Sequence, residues 1–260
     1  MESLVRHCKG KMCCVKIGIL SGLLLFMPGV VWAESVDAII KRVVDNLNGK
    51  TAVMEITMEV TTSRVKRTMK MKSYSIGQEK SFIKVLYPKK DAGITFLKVD
   101  KSMWQYIPRI EKVIKIPASM MLQSWMGSDF SNDDLVRESS LYDDYSHTLL
   151  SETAGEYNVE LIPKSDAAVV WGKIIMSISK EYLLPREVSY FDEDGILIRV
   201  LAYSDVKSFG KRWYPTLWIM TPKAADKEGH ETLIKVVDVV FDSVIDEDYF
   251  SKRALKRFSK

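Results

Sequence analysis

The feature that most constrains this chain is an alternation of apolar and mostly polar residues that begins just after residue 50. Ala52, Met54, Ile56, Met58 and Val60 form the apolar half of the first such segment. Successive side chains of a strand point to opposite faces, so a period of two predicts a strand with one apolar face. The same texture recurs in short segments separated by turn residues, at 65–76, 79–87, 94–100, 103–107, 110–116, 157–162, 171–180, 186–191, 196–204, 213–221 and 232–242. This pattern favours an antiparallel sheet of hairpins and argues against βαβ units.

Turn and helix signals show how these strands are joined. Asp194-Gly195 is the clearest hairpin turn. Apolar residues at helical spacing between Glu34 and Leu47 predict an opening helix, and further helices are expected near 131–138 and at the end of the chain. We predict a mainly β fold of about eleven strands with helices, as a single domain over residues 34–260. A sheet this wide curls or splits, so a half-barrel around a helix and a two-sheet sandwich both remain open.

The first 33 residues have the pattern of a cleavable secretory signal. Arg6, Lys9, Lys11 and Lys16 precede the apolar run 17–31, and Ala33 provides the small residue of a cleavage site. The three cysteines, Cys8, Cys13 and Cys14, all lie ahead of the apolar run, so we expect the mature chain to have no thiol chemistry. The bacterial periplasm is the expected compartment.

The charge of the chain becomes nearly neutral once this segment is set aside. Residues 1–33 hold 4 of the 38 basic and 1 of the 34 acidic residues, which leaves a net charge of +1. Nucleic-acid-binding domains concentrate positive charge, so we do not expect a nucleic acid as partner.

Three segments stand in an order and spacing typical of one family. The first comprises Gly93–Leu97 and the run Met-Trp-Gln-Tyr-Ile-Pro at 103–108, the second begins with Met-Gly-Ser-Asp-Phe at 126–130 and continues to Leu135, and the third is Leu-Pro-Arg-Glu at 184–187. Together they resemble the LolA-like group of outer-membrane lipoprotein-sorting proteins, over most of residues 45–255. The pair formed by the Trp-Gln-Tyr-Ile-Pro and Met-Gly-Ser-Asp-Phe segments is the specific part of the resemblance.

The resemblance implies an unclosed antiparallel β-barrel with helices over its concave face and an apolar cavity for acyl chains. It also implies a soluble periplasmic carrier without catalysis and without a cofactor. We expect a monomer that takes lipid or lipoprotein acyl chains and meets an inner-membrane transporter. The chain is longer than the lipoprotein carrier proper, which leaves a lipoprotein, a free lipid or a hopanoid-like molecule open as cargo.

Ten residues are candidates for lining such a cavity. Methionine is flexible and suits irregular acyl chains, and aromatic residues near the 117–130 segment could form a rim or lid. An ordinary packed core, or a loop packed on the body of the protein, explains the same residues. The candidates are Met54, Ile56, Met58, Met69, Met71, Trp104, Tyr106, Met121, Trp125 and Phe130.

Polar residues give little support to catalysis or metal binding. After residue 33 the only histidines are His147 and His230, and no zinc-protease or serine-hydrolase motif occurs. Asp129, Asp133 and Asp134 could form a cation site, but Ser131 and Asp134 have the spacing of a capping box, so capping of a helix is the better explanation. The acidic and then basic order of residues 246–257 fits a final helix that complements its dipole, or a basic surface for anionic lipids or a transporter.

Two other functions fit the same features. A protein of this architecture could be a sensor that detects mislocalised lipids and controls a membrane-bound regulator. It could also be an accessory subunit of a lipid-exporting transporter.

Overall fold

The computed structural model describes residues 34–137, 141–167 and 169–260. The predicted signal, residues 1–33, lies outside these ranges. The described part contains α1 (Val36–Asn48), α2 (Asn132–Arg137) and α3 (Lys252–Arg257). Its strands are β1 (Thr51–Thr61), β2 (Lys66–Ile76), β3 (Lys80–Tyr87), β4 (Thr95–Val99), β5 (Ser102–Ile107), β6 (Lys112–Lys115), β7 (Tyr145–Glu152), β8 (Glu156–Pro163), β9 (Lys173–Ser179), β10 (Leu184–Phe191), β11 (Leu197–Phe209), β12 (Arg212–Pro222) and β13 (Glu231–Phe241).

All of these strands form one antiparallel, unclosed sheet. The spatial order is β6-β5-β4-β3-β2-β1-β13-β12-β11-β10-β9-β8-β7, so the last strand returns to pair with the first. The mainly β, unclosed fold is therefore confirmed, and the two-sheet alternative is excluded for the described residues. The sheet has 13 strands, where about eleven were predicted. The predicted hairpin at Asp194-Gly195 is also confirmed, because it joins β10 to β11.

The inner face of the sheet carries the main core and α1. Ser35 begins the helix by accepting a hydrogen bond from the Ala38 amide at 3.2 Å, and Gly49 ends it with a positive φ of 62°. The strands β1 to β6 form one arm of the sheet and β7 to β13 form the other. The buried side of α1 packs into a cluster with inner-facing residues from both arms. Asn46 fixes the helix by donating to the carbonyls of Tyr182 and Leu183 at 3.3 and 3.1 Å.

The outer face carries the end of the chain. Leu255 on α3 and Phe250 just before it pack against outward-facing residues of β3, β4 and β5, namely Phe82, Leu97 and Tyr106. The helices were expected over the concave face, and the final helix instead lies on the opposite side. The physical reason is that β3 to β5 are apolar on both faces, and the outer apolar surface has to be covered.

The segment between β6 and β7 folds back across the inner face. Its helix α2 begins with the predicted capping box: the Ser131 hydroxyl accepts from the Asp134 amide at 3.2 Å, and the Asp134 carboxylate accepts from the Ser131 amide at 2.7 Å. Within the described residues, no helix is both long and apolar enough to cross a membrane.

Candidate functional site

A cavity lies between α1 and the inner face of the sheet. Its volume is about 190 Å³, more than ten times the space that one water molecule requires, which is about 10–15 Å³. We call it the α1 cavity. Its apolar lining comes from both arms of the sheet, from α1 and from the folded-back segment, and comprises Ile40, Val43, Val44, Leu47, Met54, Ile56, Ile83, Leu135, Leu141, Met176, Pro185, Val188, Tyr190, Tyr203, Tyr214 and Trp218.

One end of the α1 cavity is polar. Ser73 and Ser75 on β2, Gln78 in the β2–β3 turn, Ser81 on β3 and Lys98 on β4 line this end. The strand register places Ser75 opposite Ser81, and Ser81 opposite Lys98, so these three form one cross-strand row. Lys98 is only 7% exposed, and its ammonium donates to the Gln78 carbonyl at 2.6 Å.

A second, smaller cavity of about 80 Å³ adjoins the first. We call it the Trp125 cavity. Leu135, Leu141, Tyr190 and Trp218 line both cavities, so side chains from α2 and the segment after it stand between the two spaces. The remaining lining residues are Trp125, Phe130, Asp133, Asp134, Tyr145, Val169, Val170, Trp171, Ile174, Leu201, Met220 and Ile234.

The Met-Gly-Ser-Asp-Phe segment is a tight turn that places two aromatic residues in the Trp125 cavity. Met126 and Gly127 both have positive φ, at 52° and 68°, which is costly for Met and free for Gly. The Ser128 hydroxyl donates to the Trp125 carbonyl at 2.7 Å and accepts from the Phe130 amide at 3.2 Å. This turn explains why the motif has a small, a hydroxyl and an aromatic residue at these positions.

Two polar contacts attach this turn and α2 to the sheet. Asp129 accepts a hydrogen bond from the Thr232 hydroxyl on β13 at 2.7 Å. Asp134 receives the guanidinium of Arg199 on β11, with Nη1 2.8 Å from Oδ2 and Nη2 in contact with Oδ1. The rings of Trp171 and Tyr190 lie 4.4 and 4.5 Å from the Arg199 guanidinium carbon. Burial acts to lower the pKa of Arg199, but the hydrogen bonds and charge of Asp134 outweigh it and raise that pKa above its ordinary value.

The structure separates the ten sequence candidates into three groups. Met54 and Ile56 line the α1 cavity, and Trp125 and Phe130 line the Trp125 cavity. Three methionines are buried in the main core without lining either cavity, and Met121 packs half-buried against that core; the three are Met58, Met69 and Met71.

The third group lies on the other side of the sheet. Trp104 and Tyr106 are on the outer face of β5, in the cluster that α3 covers, and line neither cavity. The ring of Trp104 lies 4.8 Å from the Lys252 ammonium. Their alternation with Met103, which is in the main core, explains this placement.

The remaining sequence candidates have structural partners. In the described residues, no group of three or more His, Cys, Asp or Glu side chains could hold a metal ion. His147 is held between α1 and the segment before β7, because its Nδ1 is 2.6 Å from Asp37 Oδ1 and its Nε2 is 2.9 Å from the Leu141 carbonyl. Its side chain is therefore part of the attachment of α1.

Comparisons with solved structures show where this fold occurs. A DUF1329 family protein from Desulfovibrio piger superposes with a TM-score of 0.77 at 22% identity, over 84% of this chain and 97% of the other. A structure described as an outer membrane lipoprotein-sorting protein domain, from Vibrio parahaemolyticus, gives 0.73 at 22% identity, over 85% and 98% of the two chains. A LolA superfamily protein from Nitrosomonas europaea gives 0.71 at 16% identity, over 85% and 100%. At these identities the structures demonstrate a shared fold.

The sequence comparisons give a family. No curated protein matches the chain. A family model matches residues 77–257, and its description is that of a family of uncharacterized proteins. The chain has the LolA-like fold that its sequence motifs suggested, and it belongs to the family whose model covers residues 77–257.

Proposed function

We propose that this protein is a periplasmic carrier that holds the acyl chains of a lipid or lipoprotein in the α1 cavity and the adjoining Trp125 cavity. The observation that carries the proposal is the pair of adjoining, mainly apolar cavities on the inner face of a LolA-like sheet. Cavities that bind small molecules are typically lined by apolar side chains and are largely formed before the ligand binds.

The energetics of such a site require no catalytic group. Each methylene of cargo that leaves water contributes about 0.8 kcal/mol, so an apolar slot alone can hold a chain. Met54, Met176 and Met220 line the two cavities with flexible side chains that adapt to chains of differing shape. The protein accordingly acts by binding and release.

The sequence supports the periplasm as the compartment of this carrier. The signal-like residues 1–33 favour export to the periplasm, and a structure of the same fold is described as a lipoprotein-sorting domain. The proposed role is transfer of cargo toward the outer membrane, by a monomer that receives it from an inner-membrane transporter.

Native mass spectrometry of protein purified from its own periplasm tests this function. We expect a mature chain that begins at Glu34 and carries copurified lipid, which organic extraction then identifies. A mature protein that consistently carries no lipid, and takes none up from vesicles, would contradict the carrier function.

A further inference from the structure

Three neighbouring turns in the arm formed by β1 to β6 combine exposed apolar and basic side chains. They join β1 to β2, β3 to β4 and β5 to β6, so the antiparallel order places all three at the same end of the sheet. We call residues 62–66, 86–92 and 108–112 the basic turns. Neighbouring strands lie about 5 Å apart, so successive turns are about 10 Å apart. None of these residues lines the α1 cavity or the Trp125 cavity.

Each basic turn exposes a large apolar side chain. Val65, Tyr87 and Ile110 are 57%, 51% and 52% exposed. The exposed apolar surface continues along the edge strand β6, where Val113 and Ile114 are also exposed. A single exposed apolar residue is ordinary on a protein surface, but several at one end of a sheet are typical of an interaction surface.

The same turns concentrate positive charge. Their six exposed cations are Arg64, Lys66, Lys89, Lys90, Arg109 and Lys112. Lys66 also forms an ion pair with Glu59 on β1 at 3.1 Å. The turns contain two acids, Asp91 and Glu111, so their net charge is +4, whereas residues 34–260 as a whole have a net charge of +1. The basic turns are therefore more positive than the chain to which they belong.

Other segments at the ends of the sheet are acidic. Residues 242–248, which follow β13 at the opposite end, contain four acids and no base. The β10–β11 turn lies at the same end as the basic turns but on the other arm, and it contains Asp192, Glu193 and Asp194. An anionic surface would attract the basic turns and repel both of these segments, which gives the protein one preferred orientation.

We infer that the basic turns are a docking surface for an anionic phospholipid membrane. Val65, Tyr87 and Ile110 enter the interface between head groups and acyl chains, and the lysines and arginines around them bind lipid phosphates. The long aliphatic stems of lysine and arginine stay with apolar groups while their charged ends reach the phosphates. The inference goes beyond the carrier function, because it concerns residues outside both cavities.

The combination of charge with apolar side chains favours a membrane over an acidic protein as the partner. Charge alone attracts either of them. A fluid lipid interface accepts separate apolar side chains on three turns, whereas a protein interface needs a closely packed complement for each exposed side chain. An acidic protein is accordingly the alternative that the experiment has to exclude.

Sedimentation of the purified mature protein with lipid vesicles tests this surface. The probes are vesicles of phosphatidylcholine alone and vesicles of an equal mixture of phosphatidylcholine and phosphatidylglycerol. We expect at least about tenfold tighter binding to the anionic vesicles, and added salt should weaken this binding. Absence of a preference for the anionic vesicles would overturn the inference.

Removal of charge from one basic turn tests the position of the surface. Lys89→Gln/Lys90→Gln should weaken binding to the anionic vesicles about tenfold or more. The control Lys101→Gln/Lys211→Gln removes two exposed cations from the β4–β5 and β11–β12 turns, at the opposite end of the sheet, and should bind as wild type. An equal loss in both variants would assign binding to the net charge of the protein and contradict a defined docking surface.

Removal of apolar groups separates a membrane from an acidic protein. Val65→Ser/Ile110→Ser keeps the charge and should weaken binding to the anionic vesicles about tenfold. The control Val237→Ser/Val240→Ser changes two side chains on β13 that are similarly exposed, at 58% and 49%, and should bind as wild type. Binding that depends on salt but not on Val65 and Ile110 would overturn the inference in favour of an acidic protein.

The docking surface and the carrier function fail separately. Protein that carries lipid from its own periplasm but does not bind vesicles contradicts only the docking surface. Protein that binds vesicles but carries no cargo contradicts only the carrier function. The substituted side chains are exposed in all four variants, so we expect each variant to fold.

Discussion

Arg199 and Asp134, 65 residues apart in sequence, form a paired and almost fully buried contact between β11 and the first turn of α2. The side chains are 6% and 16% exposed. The contact fixes α2, whose Leu135 lies between the two cavities. Together with the hydrogen bond from Thr232 to Asp129, this ion pair holds the segment that separates the two cavities.

Removing one partner of this pair should destabilise the protein strongly. Arg199→Met leaves the Asp134 carboxylate buried without its counter-charge, and such changes cost about 3–5 kcal/mol. Urea denaturation monitored by tryptophan fluorescence measures the loss. The double variant Arg199→Met/Asp134→Leu should recover part of it, because no uncompensated charge is then left.

The exposed pair of Lys180 and Glu152 is the control for that experiment. Its side chains are 24% and 51% exposed, and exposed pairs contribute about 0–1 kcal/mol. If Lys180→Met lowered the free energy of unfolding as much as Arg199→Met, the cost of breaking an ion pair would not depend on its burial.

A charge placed on the inner face of β1 should abolish cargo binding or folding. Ile56 lines the α1 cavity, and Ile56→Asp would bury an unpaired carboxylate there. Thr57→Asp is the matched control, because it lies on the outer face between Lys70 and Lys235. Native mass spectrometry should show lipid on Thr57→Asp and none on a folded Ile56→Asp; full cargo on the latter would exclude this face as the cavity wall.

Substitutions in the outer-face cluster should lower the free energy of unfolding without changing the binding of cargo. Leu255 is fully buried against β3 to β5, and Leu255→Ala should cost about 2–5 kcal/mol. Lipid binding by the folded fraction should be unchanged, and Trp104→Ala should also retain its lipid. Loss of cargo from a folded Trp104→Ala would contradict its separation from the cavities.

Asp242 should make the free energy of unfolding depend on pH. Hydrogen bonds from the Lys50 amide at 2.8 Å and from Arg212 at 2.9 Å lower its pKa in the folded state. The contribution of these contacts to the free energy of unfolding is therefore fully present above the pKa of Asp242 in the unfolded chain, which is about 3.9. It is lost as the pH falls through the lower pKa that Asp242 has in the folded protein.

We therefore expect Asp242→Asn to be less stable than wild type at pH 7, by at most about 1 kcal/mol because the site is exposed. The difference should shrink below pH 4 in urea denaturation curves. An equal difference at pH 7 and pH 3 would assign the effect to packing instead of charge.

Most of the sheet was predictable because most strands bury one face. β1 shows this clearly, since its alternation survives in the structure as an inner row that includes Met54 and Ile56. β7 was missed because it is an edge strand in which only Tyr145 is buried, and the adjacent Leu149 and Leu150 are exposed. An edge strand with so few buried side chains shows no two-residue alternation of apolar and polar residues in the sequence.

The candidate site was less predictable, for two physical reasons. Alternation shows that β5 has two faces, but it does not show which face meets a cavity, so Trp104 and Tyr106 were assigned with the cavity residues. The row of Ser75, Ser81 and Lys98 depends on the register of three strands, and no local pattern in the sequence encodes that register.

The open ends of the sheet have a mechanical consequence. In a closed cylinder the strand number fixes the diameter, whereas here β6 and β7 end the hydrogen-bonded order on opposite sides. The sheet can therefore change its curvature without breaking a hydrogen bond between neighbouring strands. The number of strands therefore does not fix the width of the space beneath α1, which suits the proposed binding of acyl chains of differing shape.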